Sequence, residues 1–137
     1  MSDFQKMLED VIAEFSCQTG TLHRAEGGML HLVAQVGVPD FLLEKVSLIP
    51  FGKGIAGAAA ETREPVELCN LQQDLGGVAK EDARKTGVSG SIAVPVFSET
   101  SEVIGTLGIG KVEPYEFSEE EKERLGEIAL QFAEMMG

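Results

Sequence analysis

Apolar residues recur at two different periods along this chain, and the change of period separates helical ends from an extended middle. Near the start, Phe4, Met7, Leu8, Val11, Ile12 and Phe15 fall at helical spacing. Ser2 followed by Gln5 has the order of a capping box, so the pattern predicts a helix from about Asp3 to Ser16. The far end mirrors it. Ser118 and Glu121 make a second box, Leu125, Ile128, Ala129, Phe132, Met135 and Met136 form the stripe, and Glu119 to Glu121 place negative charge where the helix dipole favours it. Between these ends the period is two. Thr19 to Ala25, a turn at Glu26-Gly27-Gly28, and Met29 to Val36 read as a hairpin with Leu30, Leu32, Ala34 and Val36 on one face. Pro39 then opens a short helical turn through Leu43. Ser91 to Phe97 and Val103 to Gly110 form a second hairpin across Ser98 to Glu102. Gly105, Gly108 and Gly110 share its last strand with Ile104, Leu107 and Ile109, which points to something approaching that backbone closely.

The middle of the chain changes register three times within fourteen residues. Val46 to Ile49 reads as a short strand, ended by Pro50, which cannot donate to a ladder. Gly52 and Gly54 flank Lys53 in a turn that can take positive φ, and the alanine-rich run Ile55 to Thr62 continues as a helix. The start of such a helix offers unpaired N–H groups and the positive end of the dipole to a small anion or a carbonyl oxygen. Arg63-Glu64-Pro65 leads to another short strand, Val66 to Leu68. The stretch 70–90 is the least regular, with one helical candidate around Glu81 to Thr86, and loops this long are usually functional or mobile. These elements predict an α/β (α+β) fold. Its antiparallel sheet has about six strands, with the N- and C-terminal helices on one face and the irregular 50–90 segment over the other.

Five motifs, taken in order, carry a resemblance. Phe51-Gly-Lys-Gly-Ile-Ala-Gly, Arg63-Glu-Pro-Val-Glu, Gly90-Ser-Ile-Ala-Val-Pro-Val-Phe, Val103-Ile-Gly-Thr-Leu-Gly-Ile and a final helix opening Phe117-Ser-Glu-Glu-Glu resemble a GAF domain over nearly the whole chain, 1–137 as one domain. The resemblance implies a ligand pocket between the sheet and the 50–90 segment. Within it Phe51, Ile55 and Ala93 would supply the apolar wall. Lys53 and Gly54 would supply the anion-facing turn, and Asn70, Asp82, Arg84, Ser89 and Ser91 the directional hydrogen bonds. It further implies a sensory role in signal transduction, read out at the terminal helices. Ligand-free dimerisation or docking is the alternative. A third reading is a redox protein similar to the free methionine-(R)-sulfoxide reductases, a branch with a cysteine at the position matched by Ala56 and another acting from the loop matched by roughly 70–90. Ala56 cannot attack sulfur, and Cys69 has only Cys17 as a possible second thiol, so no catalytic residue is expected. Bilin attachment at Cys69 lacks the adjacent histidine, haem lacks a clear axial ligand, and the cyclic-nucleotide signature is absent around Asn70. No cofactor is expected.

Composition narrows the partners. The 137 residues include 23 acidic and 11 basic ones, a net charge of -12, and this repels phosphate backbones and anionic membrane surfaces. No nucleic acid and no membrane are expected, and the lack of a long apolar run or a signal-peptide core predicts a cytoplasmic protein. The two cysteines and two histidines fall into no metal-ligand spacing. Expected partners are a small polar or anionic metabolite, a second copy through the terminal helices, whose apolar stripes exceed what one sheet face covers, and a signalling protein.

Overall fold

The computed structural model describes residues 3–68 and 89–136. Helix α1 (Asp3–Phe15) is followed by strands β1 (Thr19–Glu26) and β2 (Met29–Val36), helix α2 (Asp40–Val46), strand β3 (Leu48–Pro50), helix α3 (Gly54–Thr62) and strand β4 (Val66–Leu68). Strands β5 (Gly90–Phe97) and β6 (Val103–Lys111) and helix α4 (Glu119–Met136) complete the described fold. All strand pairs are antiparallel, and six strands lie in the order β3-β2-β1-β6-β5-β4. The predicted sheet and both terminal helices are therefore present, on one side of the sheet as expected. The short strand before Pro50 starts at Leu48 because Val46 closes α2 instead.

One face is consumed by the terminal helices. Leu8, Val11, Ile12 and Phe15 of α1 and Leu125, Ile128, Ala129 and Phe132 of α4 share a core with Leu22, Ile92, Val94, Val96, Leu107 and Ile109. The Phe4 and Phe132 rings stack across the two helices, 6.2 Å apart. Arg124 clasps Glu14 through two nitrogens at 2.7 and 3.2 Å, holding the guanidinium-facing carboxyl below the usual range. The Ser118–Glu121 box forms reciprocally, at 3.1 and 2.8 Å, and Tyr115 donates its hydroxyl to the same carboxylate. The box expected at the first helix lies partly outside the described residues, since Ser2 is not among them. The Gln5 amide donates to the Gln35 carbonyl at 2.9 Å, tying α1 to β2.

Strand β2 departs from simple alternation. The pairing with β1 shifts between Leu22 and His23, so that Leu22 faces Ala34 and His23 faces Leu32, leaving Val33 as the extra residue of a bulge. The expected single face for Leu30, Leu32, Ala34 and Val36 is therefore split. Ala34 belongs to the helix-side core and Val36 packs against it, whereas fully buried Leu30 lies outside that cluster, on the opposite face with Leu32. A period of two read from sequence cannot register one inserted residue.

Candidate functional site

The face away from the terminal helices has a floor of small and polar side chains. Alternation along β6 puts Thr106, Gly108 and Gly110 on it. Their cross-strand partners are His23, Thr21 and Thr19 on β1 and Pro95, Ala93 and Ser91 on β5. Gly108 is closely hemmed at the centre: a Cβ there would lie 3.1 Å from the Thr21 hydroxyl and 3.9 Å from the Ala93 methyl. The close approach predicted from the β6 glycines is thus made by the sheet's own neighbours. Gly105 is on the other face, where it meets the His23 carbonyl and Met136.

Short elements frame this floor. Helix α3 packs on β5 and β6, and its Ala59 and Ala60 are buried. The turn before it is tightly closed: Gly52 donates its N–H to the Gly57 carbonyl at 2.8 Å, and Lys53 donates to Pro50 at 3.2 Å. Gly57 is required here, because a Cβ would sit 2.6 Å from the Pro50 carbonyl oxygen. At the other end of α3, Arg63 takes a left-handed conformation, donates to the Ser101 carbonyl and lies over the Phe97 ring.

His23 and Thr106 are the unusual pair. Both are buried at the centre of the sheet, 1% and 0% exposed. His23 Nε2 lies 2.8 Å from the Val46 carbonyl, which only accepts, so Nε2 carries the proton and Nδ1 presents a lone pair. Neither His23 Nδ1 nor Thr106 Oγ1 has a hydrogen-bond partner among the described residues. Buried polar atoms of this kind cost about 1–3 kcal/mol each, and each asks for a partner. Burial pulls the His23 imidazole below its ordinary pKa of 6.5, the bond to Val46 opposing it and His31 adding to it. Between the lowered folded value and 6.5, the unfolded chain binds the extra proton. Stability is therefore complete above pH 6.5 and is lost as pH falls through that window. Urea unfolding between pH 5.5 and 7.5 should show this slope in the wild type and lose it in His23→Gln; an unchanged slope in the variant would assign it elsewhere.

The sequence-predicted site residues occupy two separate places. Ser91 and Ala93 share the floor, and Ser89 is buried just before β5 with its N–H donated to Lys111. Ser91 makes a long contact, 3.4 Å, with the Ile109 carbonyl. Phe51, Lys53, Gly54 and Ile55 lie at the turn after β3, with Lys53 exposed and Phe51 donating its N–H to Gly28. Pro50 is level with Met29 and Glu26, whereas Ser91 is level with Gly110 and Thr19. Seven strand positions, roughly 23 Å, separate the levels of Pro50 and Ser91 along the sheet, while α3, which begins at Gly54, packs back on β5 and β6. Asn70, Asp82 and Arg84 lie outside the described residues, as do Cys69 and the whole of the predicted 70–90 loop beyond its last two positions. His23 and Thr106 were not among the expected residues. His23 sits in the first hairpin, far in sequence from the glycine turn, and only the β1–β6 pairing brings it to the floor.

The profile of the GAF domain family matches residues 4–136. The chain belongs to the GAF domain family. No curated protein gives a significant match. Among solved structures, this GAF domain is similar to the type II free methionine-R-sulfoxide reductase from Thermoplasma acidophilum (21% identity, TM-score 0.78, covering 97% of this chain and 89% of that one). It is also similar to the GAF domain of a phosphoenolpyruvate-protein phosphotransferase from Coxiella burnetii (21%, 0.79, 95% and 77%). The free methionine-R-sulfoxide reductase from Neisseria meningitidis, solved with its substrate, aligns at 19% identity and TM-score 0.77 over 96% and 74% of the two chains. Identities this low establish a shared fold. In this GAF domain Cys17 is buried, and burial, against the opposing pull of Lys111, pushes its thiol up to about 11 and so keeps it in the unreactive protonated form. Among the described residues no group of three potential metal ligands occurs, and no helix is long and apolar enough to cross a membrane.

Proposed function

We propose that this GAF domain is a sensory domain that binds an uncharged polar small molecule on the β1-β6-β5 floor and relays occupancy to the terminal helices. The observation that carries the reading is the unpartnered pair, His23 Nδ1 as acceptor and Thr106 Oγ1 as donor or acceptor, on adjacent floor strands. Family membership supports a ligand-binding regulatory role. The described floor residues carry no formal charge, His23 being held neutral, which favours a neutral ligand over an anionic one. The helix-side core shares β1, β5 and β6 with the floor, so a shift of those strands reaches α1 and α4 directly. The cytoplasm is the proposed compartment, and dimerisation through the terminal helices the proposed output.

Native mass spectrometry of the purified protein tests this by reading retained ligand and subunit number together. Thr106→Val sharpens the test because its two effects have opposite signs. Removing a buried, unpartnered hydroxyl should stabilise the ligand-free protein by about 1 kcal/mol, while retained ligand falls about tenfold. Loss of stability with unchanged ligand retention would show the hydroxyl to be structural. No retained mass, with dimer intact, would favour the ligand-free interaction module.

A further inference from the structure

We propose that Glu67 couples the floor to the start of α4, acting as a positioning residue through which strand β4 moves that helix; this rests on the reading of the floor as a ligand site. Strand β4 is only three residues long, and its side chains divide between the two faces of the sheet. Val66 pairs with Ala93 and Leu68 with Ser91, two floor positions, whereas Glu67 pairs with Ile92, a member of the helix-side core. Glu67 is therefore turned toward α4. One carboxylate oxygen accepts the Phe117 N–H at 2.7 Å and the other meets the Lys122 ammonium at 3.0 Å. The pair is largely sheltered, with the Glu67 side chain 15% exposed, so the contacts are screened less than a surface ion pair.

The location gives those contacts leverage. Phe117 is buried, its ring meets Tyr115 edge-on at 4.9 Å, and it immediately precedes the Ser118–Glu121 box. Among the described residues, Glu67 makes the hydrogen-bonded and ionic contacts from β4 to this segment. A displacement of β4 at Leu68 or Val66 thus pulls on the first turn of α4 through one side chain. The backbone ladder from β4 runs to β5 and leaves α4 to be reached through packing.

Hydrogen exchange at the Glu121 and Lys122 amides supplies the readout, because both bond to Ser118 and neither bond involves Glu67. In the full chain, Leu68→Ala should speed exchange at these amides about tenfold, the size of a direct coupling. In a Glu67→Ala background the same substitution should change them by less than about twofold. Glu67→Gln, which keeps an acceptor for Phe117 and loses the charge facing Lys122, should give an intermediate response and guards against a misfolded alanine variant. Equal acceleration with and without Glu67, or none in the wild-type background, would overturn the proposal. These measurements use no ligand, so a native mass spectrum without retained ligand would defeat the floor reading while leaving the coupling result standing.

Discussion

Replacing Phe132 with alanine is expected to cost about 4 kcal/mol of folding stability, the upper range for deleting a fully enclosed aromatic side chain. Phe132 is 0% exposed and stacks on Phe4 at the junction of the two terminal helices. Truncation would leave a cavity between α1 and α4 as well as removing apolar contact, and both losses fall on one interface. Since domains of this size have only about 5–15 kcal/mol in total, the variant should unfold at far lower urea. The control is Leu130, on the same helix but 58% exposed, where alanine should change stability by no more than about 0.5 kcal/mol. Equal midpoints for the two variants would mean that the helices do not bury this face in solution.

Gly105→Ala should be nearly as damaging, at about 3 kcal/mol, through crowding instead of a cavity. The added methyl would collide with the His23 carbonyl oxygen of the paired strand and lie 2.9 Å from the Met136 methyl. The side chain of Met136 can move, but the β1 backbone can yield only by opening the β1–β6 ladder. That displacement would also disturb the His23–Thr106 pair, so ligand retention should fall together with stability. Gly126 on α4 offers the opposite case, since nothing lies within 4 Å of its Cβ position. Gly126→Ala should stabilise the domain by about 0.5–1 kcal/mol, from helix propensity alone. Thermal unfolding of the two variants side by side checks both signs.

The sequence made the architecture legible because its main elements are governed by local rules. Both helical stripes (apart from Met135, which is exposed), the Ser118–Glu121 box, the Gly27-Gly28 turn and the glycine-flanked Lys53 turn act within a few residues, and each appears where the pattern places it. What escaped the reading depends on pairing between distant segments. The bulge at Val33 moves half of β2 to the other face, and nothing in the alternation of Leu30 to Val36 marks the extra residue. His23 looked like an ordinary hairpin residue because its neighbours, Thr106 on β6 and Val46 at the end of α2, are remote in sequence. Gly108 was the one available signal, since a side chain there would press on the Thr21 hydroxyl of the paired strand. Grouping Lys53 and Ser91 in one site followed from the family resemblance. The pairing sets Pro50, three residues before Lys53, and Ser91 at different levels of the sheet.

The bulge in β2 has a bearing on how such a domain can diverge. Because Val33 hands the strand from one face to the other, Leu30 and Leu32 answer to the floor while Ala34 and Val36 answer to the helices. Mutations drifting in one half of the strand are then judged by a different set of contacts from those in the other half. On the proposed reading of the floor, a lineage could exchange its ligand by altering Leu30, Leu32 and their neighbours while inheriting the helix-side core unchanged. One inserted residue thus lets recognition and output vary as separate traits on a single strand.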